Sequence, residues 1–157
     1  MRGCELKHII GIDVGKAGAI CIMTDIVSLQ EMPDSAYGIA EELRRWPTAH
    51  THVFVEKAQC FAKNGAVGMF NYGKGYGEIL GVIAALGLSH SLVPPSTWTK
   101  VMHKGAYGKD AKGKSLDAAR RLFPHVDLMR TMKCKVPDSG FIDALLIAEY
   151  GRRVMGW

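Results

Sequence analysis

Apolar positions divide the N-terminal part of the chain into short β-type runs. Ile9 to Val14, Ala19 to Thr24 and Val27 to Gln30 are rich in β-branched and other apolar residues. Gly15 and Gly18, between the first two, predict a tight antiparallel connection. Met32, Pro33 and Asp34 break the pattern, and Ser35 is placed to cap a helix that runs through Arg45 and stops at Pro47. His52 to Glu56 reads as a strand buried in mid-sheet, and Lys57 to Gly68, which has no period, as a loop. A long helix is predicted from about Met69 to Leu86, then a short strand, Ser91 to Val93, ended by Pro94 and Pro95. Two more helices, Ser96 to about His103 and Lys112 to Leu122, flank a glycine–lysine loop, Lys104 to Gly113, and a last helix covers Phe141 to Val154. Strands first, then helices mixed with further strands, predict a mixed sheet with helices on its faces. No repeat or linker interrupts the pattern, so residues 1–157 read as one domain.

Composition changes this picture little, and charge changes it more. With 48% hydrophobic and 22% charged residues the chain has globular composition, which argues against disorder. The formal net charge of +5 favours phosphate backbones or anionic surfaces as partners. Cys4, Cys21, Cys60 and Cys134 form no C-x-x-C pair and have no histidines at zinc-ligand spacing, so they read as free thiols of a reducing compartment. The opening residues lead straight into a strand without a secretory pattern. The longest apolar stretch, Ile79 to Leu88, is too short to span a bilayer. The expectation is a soluble, cytoplasmic protein with no membrane partner.

Against that basic background stand three acidic segments. HIIGIDVG ends a strand on Asp13, HVFVEK ends another on Glu56, and PDSGFIDALLIAEYG opens a helix with Asp138 and Asp143. Carboxylates at strand ends and near a helix start can converge on one edge of a sheet. Their hard oxygens suit Mg²⁺ or Mn²⁺, the ions of phosphodiester hydrolysis. Three of the acids also have a plainer role open to them: an Asx turn for Asp13, a pair with Lys57 for Glu56, a helix N-cap for Asp138. Around them, Phe61, Phe70, Tyr72 and Tyr76 interleave with Lys63 and Lys74, as in surfaces that stack unpaired bases and hold phosphates. Lys100, Lys104, Lys109, Lys112 and Lys114 with Arg120 and Arg121 form the densest basic tract, suited to phosphate contact or to plain solvation. Gly73, Gly77 and Gly81 recur every four residues along the long helix. Because glycine costs about 1 kcal/mol per helix position, they want a close neighbour, either a second subunit or the protein's own sheet.

GIDVG with Asp13, VEK with Glu56, FNYGKGYGEILGVIAALG, PPSTWTK and DALLIAEYG with Asp143 together resemble the RuvC-type Holliday junction resolvases of the RNase H-like nuclease superfamily. They occur in the family's order, cover most of the chain, and are most similar to the short bacteriophage and chloroplast forms. The resemblance implies an RNase H-like mixed β-sheet with α-helices on both faces, and a homodimer that binds branched DNA. It also implies paired, metal-dependent cuts in four-way junctions, the activity of a crossover junction endodeoxyribonuclease. Asp13, Glu56, Asp138 and Asp143 would then be catalytic and would hold two Mg²⁺ or Mn²⁺ ions, with Asp13 bridging them. Phe61 or Gln59 would enter the junction centre, and the Gly73, Gly77, Gly81 face would meet the second subunit. A phage origin, acting in host cytoplasm, fits the same resemblance. One position departs from the bacterial pattern: three residues before Asp143 stands Gly140, which offers no ligand. Asp138 is five residues before, roughly 140° out of line on a continuous helix. It can therefore share a metal with Asp143 only on or before the helix cap. Among other functions, a sugar-kinase-like ATPase shares the GIDxG strand but needs a second domain and phosphate loops for which this chain has no room. A non-catalytic junction-binding protein, or an RNase H-like nuclease for RNA–DNA hybrids, remains compatible with the residues.

Overall fold

The computed structural model describes residues 8–15, 17–59 and 65–157. The apolar runs become β1 (His8–Asp13), β2 (Ala19–Met23) and β3 (Val27–Glu31), paired antiparallel in sequence order. Gly15, at φ 124°, and Gly18, whose N–H donates to the Gly15 carbonyl at 3.1 Å, make the first turn. α1 (Ala36–Leu43) follows, its N-cap Ser35 hydroxyl accepting from the Gly38 N–H at 3.1 Å, and a 3-10 turn over Thr48–His50 leads into β4 (Thr51–Glu56). β4 lies parallel to both β1 and β5 (Ser89–Val93), giving a five-stranded sheet ordered β3-β2-β1-β4-β5. Parallel neighbours need a crossover, and α2 (Gly65–Ala85) makes the one from β4 to β5. The helix begins at Gly65, earlier than its apolar period predicts. Its first turns are exposed, and an exposed turn leaves no hydrophobic trace in the sequence. α3 (Pro95–Met102), α4 (Ala111–Leu122) and α5 (Ser139–Met155) complete the mixed sheet with helices on both faces.

The two-residue period of the strands decides what each face receives. Ile10, Ile12 and Val14 with Val53 and Val55 form one core, with Ile39 and Leu43 of α1 and Ile79 and Ile83 of α2. Ile9 and Phe54, at the alternate positions, belong to the other core, with Trp98, Met102, Ala118, Ala119 and the buried row of α5. Gly11 lets α5 lie directly on β1, since a Cβ there would collide with the Ala144 carbonyl and with Ala148. Gly151 meets the Phe54 ring as closely, and Gly140, in the first turn of α5, meets the Ala17 carbonyl of the β1–β2 turn. The helix is thus seated at three points. Gly11→Ala is expected to overpack that seat at a cost of about 1–3 kcal/mol. At roughly 2–4 °C per kcal/mol for a chain of this size, thermal unfolding followed by circular dichroism should register the loss as several degrees of Tm.

Cys21 is buried and Cys134 exposed, both as free thiols, while Cys4 and Cys60 lie outside the described residues. Among the described residues no helix is long and apolar enough to cross a membrane.

Candidate functional site

Asp13 ends β1 and Glu56 ends β4, and strand register sets them side by side. Ile12 pairs with Val55 across the parallel strands, so the next residue of each emerges at the same sheet edge. The two-residue period also puts both acids on the α5 face, in line with Gly11 and Phe54. Asp143 arrives from α5 itself, next to the Ala144 that rests on Gly11.

The charges of these groups act on one another. Burial first, then the negative charges of Asp143, Glu56 and Asp138, push Asp13 up to about 9. Asp143 is pushed up to about 6 by burial and by Glu56, against the opposing pull of a Ser115 hydrogen bond and the Lys112 charge. Burial raises Glu56 as well, and its hydrogen bond from Trp98 works the other way. Three half-buried, mutually repelling carboxyls are a set whose charge a bound cation would relieve.

Asp138 is built differently. It is the N-cap of α5, its Oδ1 accepting from the Phe141 N–H at 3.0 Å, so it meets the condition that it lie on the cap. Arg130 grips it with both arms of the guanidinium, Nε to Oδ2 at 2.7 Å and Nη2 to Oδ1 at 3.0 Å, and this pairing holds its carboxyl below the ordinary range. The same guanidinium donates to the Ala17 carbonyl at 3.1 Å, stands 3.4 Å from Glu31 and lies over the Phe141 ring. It ties the β1–β2 turn to the start of α5. Among the described residues, no three His, Cys, Asp or Glu side chains are gathered in a geometry that could hold a metal ion. Two of the four acids are held by other partners: Asp138 by Arg130, and Glu56, whose Oε2 accepts from Trp98 Nε1 at 2.9 Å.

The residues expected to contact DNA divide into groups. Phe61 and Lys63 lie outside the described residues. Lys74 is exposed on α2, 3.7 Å from Glu78 one turn on. Lys112 reaches the acidic site, where it acts on Asp143 and lines a cavity of about 310 Å³ with Ser115, Pro137 and Ser139. Lys109 and Lys114 are exposed near it in sequence, but Lys100 and Lys104 line a different cavity with Arg121 and Arg153. On α2, Gly73, Gly77 and Gly81 are exposed, and among the described residues a Cβ built at any of them would meet nothing within 4 Å, so the stripe does not pack on the protein's own sheet. Trp98, Ser115 and Arg130 touch the acids, and nothing in the sequence marks them for that role. Trp98 stands inside PPSTWTK, but its partner depends on where α3 lies, and Arg130 belongs to an irregular segment with no period to read.

No family model matches the sequence, and no curated protein sequence matches it significantly. Solved structures do match. One is RuvC of Thermus thermophilus in complex with a Holliday junction substrate, at TM-score 0.58 and 18% identity over 94% of this chain and 95% of that one. Another is the Thermus thermophilus RuvC structure, at TM-score 0.57 and 15% identity over 94% and 96%. The β3-β2-β1-β4-β5 sheet with helices on both faces is therefore a RuvC-type, RNase H-like fold.

Proposed function

We propose that this chain is a divalent-metal-dependent endonuclease that resolves four-way DNA junctions by paired incisions as a homodimer. The observation that carries the reading is the meeting of Asp13, Glu56 and Asp143 at one sheet edge, close enough for their charges to help push Asp13 up to about 9. Carboxylate oxygens are hard donors and suit Mg²⁺ or Mn²⁺. Asp13, Glu56 and Asp143 would hold the metal, with Asp138 adding negative charge from the cap of α5. Bound there, it would supply charge stabilisation and an acidified water for phosphodiester hydrolysis. Asp13 releases its proton on binding, so metal affinity should rise with pH toward 9. Gly15, two residues after Asp13, carries no side chain of its own there, which suits close approach of a phosphate, and Lys112 offers it a counter-charge.

The open stripe on α2 supports the homodimer. Three glycines at about 1 kcal/mol each, at which a Cβ would meet nothing within 4 Å among the described residues, are accounted for by a second helix laid across them. Val67 and Phe70, 75% and 72% exposed, continue that face at helical spacing. Two sites in a symmetric dimer match the near two-fold symmetry of a four-way junction.

The test is to incubate the purified protein with synthetic four-way junctions, linear duplex and RNA–DNA hybrid, each with Mg²⁺ and with EDTA. Paired cuts confined to junctions with metal are expected. Preferential cutting of the hybrid would replace the reading with a single-site RNase H-like nuclease. Tight junction binding without cleavage would leave a non-catalytic junction-binding protein.

Junction affinity is also expected to fall steeply with salt, each neutralised phosphate contributing about 0.9 to the log–log slope. Replacing Lys109, Lys112 and Lys114 together by Ala should flatten the slope by roughly that amount for each phosphate the three lysines neutralise. An unchanged slope in fluorescence anisotropy titrations would make this half of the basic tract a solvated face.

A further inference from the structure

We infer that the loop between Leu128 and Asp138 is a DNA-contacting finger, which sets Met132 against unstacked bases at a branch point and Lys133 and Lys135 on the phosphates around them. The inference rests on the junction-binding part of the proposed function and needs no bound metal. The loop is closed at its base. The Asp138 N–H donates to the Leu128 carbonyl at 2.8 Å, and the Arg130 guanidinium holds the Asp138 carboxylate at 2.7 and 3.0 Å. Residues 129–137 therefore leave and return at one point, the form of a short Ω loop. A tighter closure shapes the tip. The Cys134 N–H donates to the Thr131 carbonyl at 3.0 Å, and the Thr131 hydroxyl stands 3.3 Å from Cys134 Sγ. That bond, from the fourth residue back to the first, makes a β-turn with Met132 and Lys133 at its two central positions.

Residues 131–136 are all exposed. Met132, at 104%, is the most exposed large apolar side chain among the described residues, and Val136 is 72% exposed. A single exposed apolar residue is ordinary. Here, however, two closures fix the backbone that presents it, with Lys133 beside it and Lys135 two residues further on. No acidic residue occurs from 131 to 137, so the charge of the loop favours a polyanion. Methionine is unbranched and polarisable, and it is one of the side chains that enter base steps as wedges. The position of the loop agrees. Pro137 and Ser139, at its return, line the same cavity as Lys112 and Asp143. Arg130, at its start, donates to the Ala17 carbonyl in the β1–β2 turn that follows Asp13. A strand laid across the acidic edge thus meets the finger next. A stacked duplex offers no gap for a thioether, whereas strands that part at a branch do, so the finger favours branched DNA over linear.

The experiment uses the full chain in EDTA, with fluorescence anisotropy on a four-way junction and on linear duplex. A second junction carries aminopurine, which brightens when its base unstacks, at the branch-point positions. Wild type is expected to bind the junction and to brighten the probe. Met132→Ala should bind the junction about tenfold more weakly, the effect of leaving one such side chain unburied. It should also lose most of the brightening and bind duplex as wild type does. Met132→Leu, which keeps the apolar bulk, should restore both. Lys133→Ala combined with Lys135→Ala should weaken binding to both DNAs and flatten the salt slope by about 0.9 for each phosphate the pair neutralises. Because these side chains are exposed, none of the variants should move Tm. Met132→Ala that binds and brightens the junction as wild type does would overturn the inference, as would equal losses on junction and duplex. A lower sedimentation mass with unchanged DNA affinity would also overturn it, making the tip a contact between copies of the chain. Wild type that binds the junction without brightening the probe would remove the inference alone. Wild type that binds no junction would remove the junction reading and the inference with it.

Discussion

Asp13→Asn is expected to abolish cleavage and, in the same molecule, to stabilise the metal-free fold. The change keeps the shape of the side chain and removes a charge that the proposed metal needs. Metal-based stabilisation of a phosphoryl transition state amounts to several kcal/mol, and at about 1.36 kcal/mol per tenfold in rate its loss lowers the rate on the order of 10³-fold or more. Junction binding should persist or tighten, because repulsion of the phosphates falls. The stability effect follows from proton linkage. Asp13 ionises from 3.8 in the unfolded chain but only at about 9 in the folded one. Between those values the folded state holds more protons at Asp13 than the unfolded state, so the contribution of Asp13 to metal-free stability is highest below pH 4, falls as pH rises, and levels off above about 9. Asp143, raised to about 6, adds a smaller fall of the same sign that ends earlier. Asn cannot ionise and removes the larger slope. At pH 8 the gain should be roughly 2–4 kcal/mol, below full conversion of the shift, because relaxation and water entry soften charge in a partly open site. Thermal unfolding of both proteins in EDTA from pH 5 to 9 measures it. Parallel curves would mean that Asp13 is not buried among like charges, and undiminished cleavage would remove it from the site.

The contrast between Asp13 and Asp138 marks how far the sequence could be read. Asp13 and Glu56 were legible because strand periodicity carries both the element and the face. An apolar run that ends on an acid names its sheet edge, and two such runs in parallel register bring their ends together. The helix cap at Asp138 was legible in the same local way. Its grip by Arg130 was not, since that contact depends on the path of an irregular segment and leaves no periodic trace. Glycine carried the opposite lesson. The regular stripe on α2 faces open space, whereas isolated glycines such as Gly11, Gly140 and Gly151 are pressed against backbone or ring. Close packing of a helix on a sheet needs one missing Cβ at each crossing point, and single positions show no period. Gly140, which breaks the bacterial ligand pattern, has its own reason in this chain: it is where α5 touches the Ala17 carbonyl. The basic tract divided for a similar cause. Lys112 and Arg121 sit at opposite ends of α4, roughly 14 Å apart at the 1.5 Å helical rise, and only the tertiary fold decides which end meets the acids.

Gly77→Leu is expected to convert a dimer that makes paired cuts into a monomer that nicks. The geometry makes this substitution a clean probe. A Cβ at Gly77 meets nothing within 4 Å among the described residues, so the leucine has room in the subunit itself, and its exchange for glycine favours the helix. The metal-free monomer fold should therefore keep its Tm or gain slightly. In a seam where two α2 helices cross on their glycines, the same leucine stands between backbones and two-fold symmetry applies it twice. Overpacking of about 1–3 kcal/mol at each copy becomes roughly 2–6 kcal/mol of lost association, some 30- to 10⁴-fold in dimer affinity at about 1.4 kcal/mol per decade. Sedimentation velocity at micromolar concentration should show the shift in mass, and a supercoiled cruciform plasmid should report single nicks where wild type linearises. Gly77→Ala, a far smaller intrusion on the same helix, should lie between the two. If Gly77→Leu keeps both the dimer mass and paired cutting, this face is not the seam. If wild type is itself monomeric on and off DNA, paired resolution gives way to a single-site nuclease built on the same three carboxyls.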